Sequence, residues 1–430
     1  MSAAAKPTTS KDTKGTQGSK ARSSGSAVGG AVGAVAAAGA AAAAGAAVVA
    51  VERSARRRRE LAGLDPSSGY EQIPDEVRTV IATDGVRLHV EIDLPDGDWR
   101  DKPTVILAHG FTLSLDSWVF QRRALRQAGF RVVLWDQRGH GQSEDSDNEH
   151  ATIRQLADDL ATVIETVAPE GDLVLIGHSM GGMTLMALAR NYPQIVADRV
   201  VATAFVSTSA GGSGLTNLDF GPFVGQVLGR FGPTLLNRIN RYAPSLLRLR
   251  RFGRNVEDAL VERYSYDSPV SQGLVRFSGD LIFSTSFSTM AQFLTAIQAH
   301  DEAESLEHFR GIETLVINGQ GDLLTPPDHS DDIVDRIPGS EHVVVEEAGH
   351  LIQLEHPDLV NQQLLMLIER ALKGRADGVA VQRKPRVRRV VTDLSQRRRV
   401  RKAKKGADKV EPTKPKGAKA GQGKTAKASS

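Results

Sequence analysis

The fold is decided by the stretch Leu173-Val174-Leu175-Ile176-Gly177-His178-Ser179-Met180-Gly181. Its four leading apolar residues predict a buried strand, and the helix-forming residues after Met180 predict a helix that follows at once. Glycines at both ends of the pentapeptide permit a tight turn that lifts the Ser179 hydroxyl clear of the sheet, while the new helix points free N–H groups at whatever Ser179 attacks. The stretch therefore predicts a nucleophilic serine at a strand-to-helix turn, an arrangement called a nucleophile elbow.

A serine hydroxyl needs two partners to act as a nucleophile at neutral pH: an imidazole that takes its proton and a carboxylate that orients the imidazole. Asp322 and His350 each come directly after a predicted strand, at the edge where open α/β sheets gather their active sites. We predict Ser179, Asp322 and His350 as the catalytic residues. The competing acid, Asp301, ends a helical pattern instead of a strand, which favours a position in the lining of the pocket.

The second requirement is a pair of donors for the negative charge that develops on the substrate oxygen. Phe111 follows a predicted strand in the segment His109-Gly110-Phe111, and Met180 begins the helix after the elbow. The backbone N–H groups of Phe111 and Met180 can converge on one oxygen, so we predict them as the substrate-binding oxyanion hole.

Strand-like and helix-like segments alternate along residues 74–211 and 301–373, the pattern of a mostly parallel sheet covered by helices. A hairpin at residues 77–93 opens this core. Between the two core segments, at residues 212–300, the strand pattern stops and apolar residues recur at helical spacing, which predicts a helical cap. An apolar roof above the nucleophile favours an acyl or otherwise apolar substrate.

The net charge of +3 hides a strong segregation. Residues 374–430 hold 19 Lys/Arg against 4 Asp/Glu, residues 1–60 hold 10 against 3, and residues 61–373 hold 25 against 44. We expect disordered basic segments at 1–27 and 374–430, since neither has apolar periodicity, and a linker at 52–73. The chain has no cysteine, which excludes disulfides and thiolate chemistry, and no His/Asp/Glu grouping has metal-ligand spacing.

Residues 28–51 contain only 13 Ala, 6 Val and 5 Gly, and arginines follow them at 53 and 56–59. A helix of about 20 apolar residues can span a bilayer, but Ala and Gly gain little from hydrocarbon. Three interpretations stay open: a membrane anchor, a signal peptide removed on export, and a low-complexity linker. The flanking charges of an anchor favour a cytoplasmic catalytic body, with a cytoplasmic or an exported protein as the alternatives.

Together, these motifs resemble those of the α/β-hydrolase superfamily, in the capped group that includes lipases, esterases, cofactor-free haloperoxidase-like enzymes and C–C hydrolases. The resemblance covers about residues 77–372, and the residues that carry it are His109-Gly110-Phe111, Trp118, Asp136 to Ser143, Gly177 to Gly182, Asp322 with Pro326, and Gly349-His350. It implies an α/β-hydrolase fold, the triad Ser179, Asp322 and His350, and an oxyanion hole at Phe111 and Met180. Haloalkane dehalogenases and epoxide hydrolases of this superfamily carry an aspartate at the elbow, so Ser179 argues against both.

The expected function is that of a serine hydrolase which cleaves an ester of an apolar or lipid-like acyl compound without a cofactor or metal. The alternatives are amide, C–C or perhydrolase-type chemistry, because fold and triad do not determine the substrate, and a membrane-tethered binding module without catalysis. The basic tails favour an anionic membrane surface over nucleic acid as a further partner. The sequence does not indicate an oligomeric state.

Overall fold

A computed structural model describes residues 61, 64–66, 69–211, 257–378 and 387–407 of the chain. The strands are β1 (Glu76–Ile81), β2 (Arg87–Asp93), β3 (Thr104–Ala108), β4 (Val132–Trp135), β5 (Leu173–His178), β6 (Val200–Val206), β7 (Glu313–Gly319), β8 (Glu341–Val345) and β9 (Val387–Val391). The helices are α1 (Val119–Gln127), α2 (Ile153–Val167), α3 (Met180–Asn191), α4 (Pro193–Arg199), α5 (Gln272–Ser284), α6 (Phe287–Gln298), α7 (Pro327–Arg336), α8 (Ile352–Glu355), α9 (Pro357–Ala376) and α10 (Leu394–Ala407). Short 3₁₀ helices lie at Leu115–Trp118 and Glu304–Phe309.

These strands form one sheet in the order β1-β2-β4-β3-β5-β6-β7-β8-β9. β1 pairs with β2 and β2 with β4 in the antiparallel sense, and the other neighbouring pairs are parallel. The register sets Ala108 of β3 beside Gly177 of β5, and Val206 of β6 beside His178. The predicted α/β-hydrolase fold, with its opening hairpin and mostly parallel sheet, is confirmed, and the carboxyl ends of the parallel strands lie along one edge.

Helices cover both faces of the sheet, which explains the uninterrupted apolar character of its central strands. Successive residues of a strand face opposite sides, so Val105 and Leu107 of β3 join one apolar core while Ile106 and Ala108 join the other. The first core is completed by α1 and α9, and the second by α2 and α3. Every residue of β3 and of β5 is therefore buried.

A buried ion-pair cluster fastens α1 to the β2 side of the sheet. The Arg122 guanidinium is fully buried, and its Nη1 lies 2.7 Å from Glu91 while its Nε and Nη2 each lie 2.7 Å from Asp93. Burial acts to lower the pKa of Arg122, but these two carboxylates raise it above its usual range. The cluster therefore stays ionised, and each charge depends on the others for its stability.

The described part of the predicted cap is helical: residues 257–265, α5 and α6. An apolar cluster of Val261, Leu274 and Val275 packs on Leu351 and Leu354, directly after the predicted base His350. The rest of the predicted cap, residues 212–256, lies outside the described residues. The predicted linker contributes to this region too, since Tyr70 stacks on Phe277 with ring centroids 4.7 Å apart.

The prediction that residues 374–430 form a disordered tail is wrong for residues 387–407. β9 pairs in parallel with β8 along five residues, and α10 follows it. The physical reason is charge complementarity with the acidic body: Arg388 lies 3.3 Å from Asp331, Arg399 lies 2.6 Å from Asp358, and Arg389 pairs with Glu341. Backbone pairing with β8, the buried contact of Asp393 with His356 and these ion pairs together hold a segment that lacks apolar periodicity. The prediction is also wrong for residues 374–376, which end α9, while residues 379–386 and 408–430 lie outside the described residues.

In the described residues, no helix is both long and apolar enough to cross a membrane. The predicted basic segment 1–27 and the apolar segment 28–51 both lie outside the described residues. The prediction of a membrane anchor, signal peptide or linker at 28–51 therefore stays a prediction.

Candidate active site

Ser179 occupies the predicted turn between β5 and α3. It is the residue before α3, with φ of 51° and ψ of −117°, a backbone conformation that side-chain-bearing residues rarely adopt. Its N–H donates to the carbonyl of Val206 on the neighbouring strand at 3.0 Å, which holds the turn against the sheet. Ser179 is partly exposed, whereas both residues beside it are buried. The turn thus presents one hydroxyl to the outside.

The two glycines of the elbow are required by space. A Cβ on Gly177 would lie 2.6 Å from the backbone of Gly181, and a Cβ on Gly181 would lie 2.2 Å from the carbonyl oxygen of Ala108. Both neighbours are backbone atoms, which cannot move aside without displacing the sheet. The interpretation of the pentapeptide as a tight strand-to-helix turn agrees with this geometry.

Asp322 and His350 come together at the same edge of the sheet, after β7 and β8. His350 Nδ1 donates to the Asp322 carboxylate, 2.9 Å from Oδ2 and 3.1 Å from Oδ1. The N–H groups of Leu324 and Thr325 donate to Oδ1 at 2.8 and 2.9 Å, and the Thr325 hydroxyl donates to Oδ2 at 2.8 Å. Burial acts to raise the pKa of Asp322, but His350 and these donors hold it below its usual range.

His178 connects the elbow to the loop of His350. Its Nε2 donates to the backbone oxygen of His350 at 3.0 Å, and the two imidazole rings lie 4.9 Å apart. Burial lowers the pKa of His178 to about 3, so its ring is neutral at physiological pH. In the described part of the chain, Ser179 Oγ makes no hydrogen bond to His350. The side chain next to the nucleophile thus contacts the backbone of the predicted base.

The segment His109-Gly110-Phe111 lies beside the elbow. A Cβ on Gly110 would lie 3.2 Å from the Cβ of Ser179, so the backbone leading to Phe111 passes next to the nucleophile. Met180 is the first residue of α3, where a helical N–H has no acceptor inside its own helix. These positions are compatible with both predicted oxyanion donors.

Gln137 is a residue of this region whose role the sequence did not reveal. Its backbone N–H donates to His109 Nε2 at 2.9 Å, its side-chain amide donates to the His109 carbonyl at 2.6 Å, and its side-chain oxygen accepts from Thr184 of α3 at 2.8 Å. Gln137 thus ties the segment of Phe111 to the elbow helix. The sequence gives no local signal for this role, because these contacts join residues 28 and 47 positions apart.

Glu355 is a second residue that the sequence did not single out. It is buried in α8, where its Oε2 accepts from the N–H of Gly349 at 2.6 Å and its Oε1 accepts from the N–H of Asp267 at 2.9 Å. One carboxylate therefore joins the loop of His350 to the cap. The competing acid, Asp301, is exposed and forms a backbone bridge with Gly211, while Asp322 is the carboxylate bonded to His350.

No group of three or more metal-ligating side chains occurs among the described residues. What the fold and the site define is an enzyme architecture: a sheet edge that presents a strained serine beside a hydrogen-bonded imidazole–carboxylate pair.

The chain belongs to the alpha/beta hydrolase fold family, whose profile matches residues 103–357. The bifunctional esterase/perhydrolase DCH of Acinetobacter calcoaceticus is 28% identical over 246 residues, 55% of this chain and 80% of that protein. Epoxide hydrolase B of Mycobacterium tuberculosis (strain ATCC 25618 / H37Rv) is 33% identical over 149 residues, which cover 34% of this chain and 40% of that protein. Among solved structures, a thermophilic esterase from Thermogutta terrifontis is similar with a TM-score of 0.54 and 25% identity, over 69% of this chain and 99% of that one. The protein is thus an α/β-family hydrolase.

Proposed function

We propose that the protein is a serine hydrolase that cleaves an ester bond of an apolar or lipid-like acyl substrate. The observation that carries the proposal is the hydrogen bond between His350 and Asp322 beside the strained turn of Ser179. Because His350 Nδ1 donates to a carboxylate, its Nε2 is left with a lone pair, which is the acceptor that a serine hydroxyl requires.

In the proposed reaction, Ser179 Oγ attacks the ester carbonyl carbon while His350 Nε2 takes the hydroxyl proton. The N–H groups of Phe111 and Met180 donate to the oxyanion, and His350 then returns the proton to the departing alkoxide. Water, deprotonated by His350, releases the acid from the acyl-enzyme and restores the serine.

Two observations support an apolar substrate. Phe111, His140 and Phe293 of α6 form an edge-to-face aromatic series near the elbow, with ring centroids 6.1 and 5.3 Å apart. Burial lowers the pKa of His140 to about 4, so that ring adds no charge at neutral pH. Phe111 is the partly exposed member of this series, and an uncharged aromatic ring beside the elbow suits an acyl chain better than an ionic one. The names of the A. calcoaceticus and T. terrifontis relatives, an esterase/perhydrolase and an esterase, favour the same chemistry.

A fluorophosphonate probe with a p-nitrophenyl ester series from short to long acyl chains tests the proposal. We expect the probe to label the wild-type protein and the Ser207→Ala variant, but not Ser179→Ala. Ser207 is the matched control, because it directly follows β6, the strand next to the elbow, and shares the positive φ of Ser179. Labelling of Ser179→Ala would refute the assigned nucleophile. A folded wild-type protein that neither reacts with the probe nor turns over any ester would support the alternative of a non-catalytic binding module.

Partner and location are proposed from the sequence. A membrane anchor at 28–51 would put the catalytic body in the cytoplasm. Its basic residues would then lie against anionic lipid. Nucleic acid is the less favoured partner. Ion pairs with the body already engage Arg388, Arg389, Arg397 and Arg399, and residues 408–430 hold 6 Lys against 2 Asp/Glu, so part of the charge left for a surface lies there. Cell fractionation tests the anchor. Retention of a 1–407 truncation on liposomes of anionic lipid and on DNA tests the tail: equal retention of the truncated and full chains on both would contradict this proposal.

A further inference from the structure

β9 and α10 lie beyond the matched family region and pack against the loop that carries His350. This loop, residues 346–350, begins where β8 ends. The Glu346 N–H donates to the Val391 carbonyl at 2.9 Å, and the Thr392 hydroxyl donates to the Glu346 carboxylate. Arg397 Nε donates to Glu347 at 2.9 Å. The start of the loop is therefore held by residues of this C-terminal extension (387–407).

Glu347 needs such support because its backbone is strained. Its φ is 53°, the left-handed conformation that favours glycine and is unfavourable for a side-chain-bearing residue. A conformation of this kind persists only where the surroundings hold it. Only two residues separate Glu347 from His350, so relaxation at Glu347 would displace the proposed base.

His356 supplies a further contact to this strained residue. It is 2% exposed, its Nε2 lies 2.9 Å from the Glu347 carbonyl oxygen, and its Nδ1 lies 3.2 Å from Asp393 Oδ2. Both partners are acceptors, so both ring nitrogens donate and the ring is an imidazolium. Burial acts to lower the pKa of His356, but Asp393 and the neighbouring Glu355 hold it above its ordinary value.

Asp393 anchors the extension while it orients the ring. Its Oδ1 accepts from the Gln396 N–H at 2.8 Å and so caps the first turn of α10, and its Oδ2 faces His356. A continuous series of hydrogen bonds runs from α10 through Asp393 and His356 to the backbone of the His350 loop.

We infer that His356 and Asp393 are positioning residues, through which the C-terminal extension holds the His350 loop in the geometry needed for proton transfer from Ser179. The inference rests on the proposed function, since it takes His350 as the base. Neither residue touches the substrate. Their effect is expected on the step that uses the base, and not on substrate binding.

The two ring contacts can be separated by a pair of substitutions in the full chain. His356→Gln keeps a donor near the position of Nε2 and so retains the bond to the Glu347 carbonyl, whereas His356→Asn keeps one near Nδ1 and loses that bond. We expect His356→Asn to lower kcat about 10- to 100-fold with KM within about twofold of wild type, because misplacing a reacting group by about 1 Å has effects of that size. His356→Gln keeps the bond to the loop but loses the one to Asp393, so its kcat should lie between those of His356→Asn and the wild type. Equal kcat values for the two variants, or a wild-type kcat in His356→Asn, would overturn the inference.

Asp393→Ala and Asp358→Ala form the second comparison, which decides the matter if His356→Asn does not fold. Both remove an ion pair of α10, but Asp358 pairs with Arg399 and not with the loop. Only Asp393→Ala should lower kcat and the rate of fluorophosphonate labelling, both measured at a temperature where the two variants are fully folded. A similar loss in both variants would mean that the extension merely stabilises the fold. Absence of labelling in the wild type would instead refute the proposed function itself, so the two failures are distinguishable.

Discussion

Replacing Asp322 with asparagine tests the proposed mechanism most directly. The Asp322 Oδ1 accepts from two backbone N–H groups, so the amide oxygen of the variant would keep that position and the amide nitrogen would replace Oδ2. That nitrogen would then lie about where Oδ2 lies now, 2.9 Å from His350 Nδ1. Since an amide N–H can only donate, the imidazole would have to accept at Nδ1 and carry its proton on Nε2. In this tautomer the ring has no lone pair for the Ser179 proton.

We therefore expect Asp322→Asn to lower kcat for p-nitrophenyl ester hydrolysis about 10⁴-fold, the size of effect that a wrong histidine tautomer causes in a Ser-His-Asp triad. This corresponds to about 5 kcal/mol of additional barrier, at roughly 1.4 kcal/mol for each factor of ten. KM should stay near the wild-type value, because Asp322 is 3% exposed and does not face the substrate.

Asp301→Asn is the matched control, because it changes the competing carboxylate, which is exposed and bridges to Gly211. We expect wild-type kcat for this variant. The reasoning fails if Asp322→Asn retains more than a tenth of the wild-type kcat while still folded, or if Asp301→Asn is the variant that loses activity.

Three further expectations concern stability and the elbow. Arg122→Met leaves the two buried carboxylates around it without a cation and should reduce the free energy of unfolding by about 3 to 5 kcal/mol. Arg126→Met at the surface should reduce it by less than about 1 kcal/mol. Urea denaturation measures both values. Gly181→Ala forces a Cβ against a backbone oxygen and should abolish fluorophosphonate labelling, while Gly279→Ala, whose nearest contact would be 3.6 Å away, should leave labelling unchanged. Burial raises the pKa of Asp136 from 3.8 to about 6, so its contribution to stability is complete below about pH 4 and is lost as the pH rises through 6. Asp136→Asn should therefore flatten that part of the curve of unfolding free energy against pH. An unchanged slope would contradict the burial argument.

The fold and the candidate site were predictable wherever a local pattern carries the information. β5, the elbow, and the positions of Asp322 and His350 after their strands all follow from short apolar runs that end in turn residues. A completely buried parallel strand has to be apolar throughout, so such runs are hard to mistake for surface segments.

Contacts between residues far apart along the chain could not be predicted from local sequence patterns. Gln137 acts on residues 28 and 47 positions away, and the contact from Arg397 to Glu347 spans 50. β9 was missed because its arginines obscure a short run of valines, and its partner strand lies more than 40 residues earlier. One local signal was available: Asp393 followed three residues later by Gln396 matches the spacing of a helix N-cap, and this is where α10 begins.

The position of β9 also has a consequence for the outer margin of the sheet. In the described residues β9 is the last strand, so the backbone groups on its far side face outward, as any terminal strand's do. Unpaired backbone of this kind invites strands of other molecules to add on, and proteins commonly oppose such growth with charged side chains. Arg388 and Arg389 provide two adjacent cations at this margin, and both are held by carboxylates of the same molecule. The charged side chains of β9 are therefore expected to oppose edge-to-edge pairing of this sheet with the sheets of other molecules.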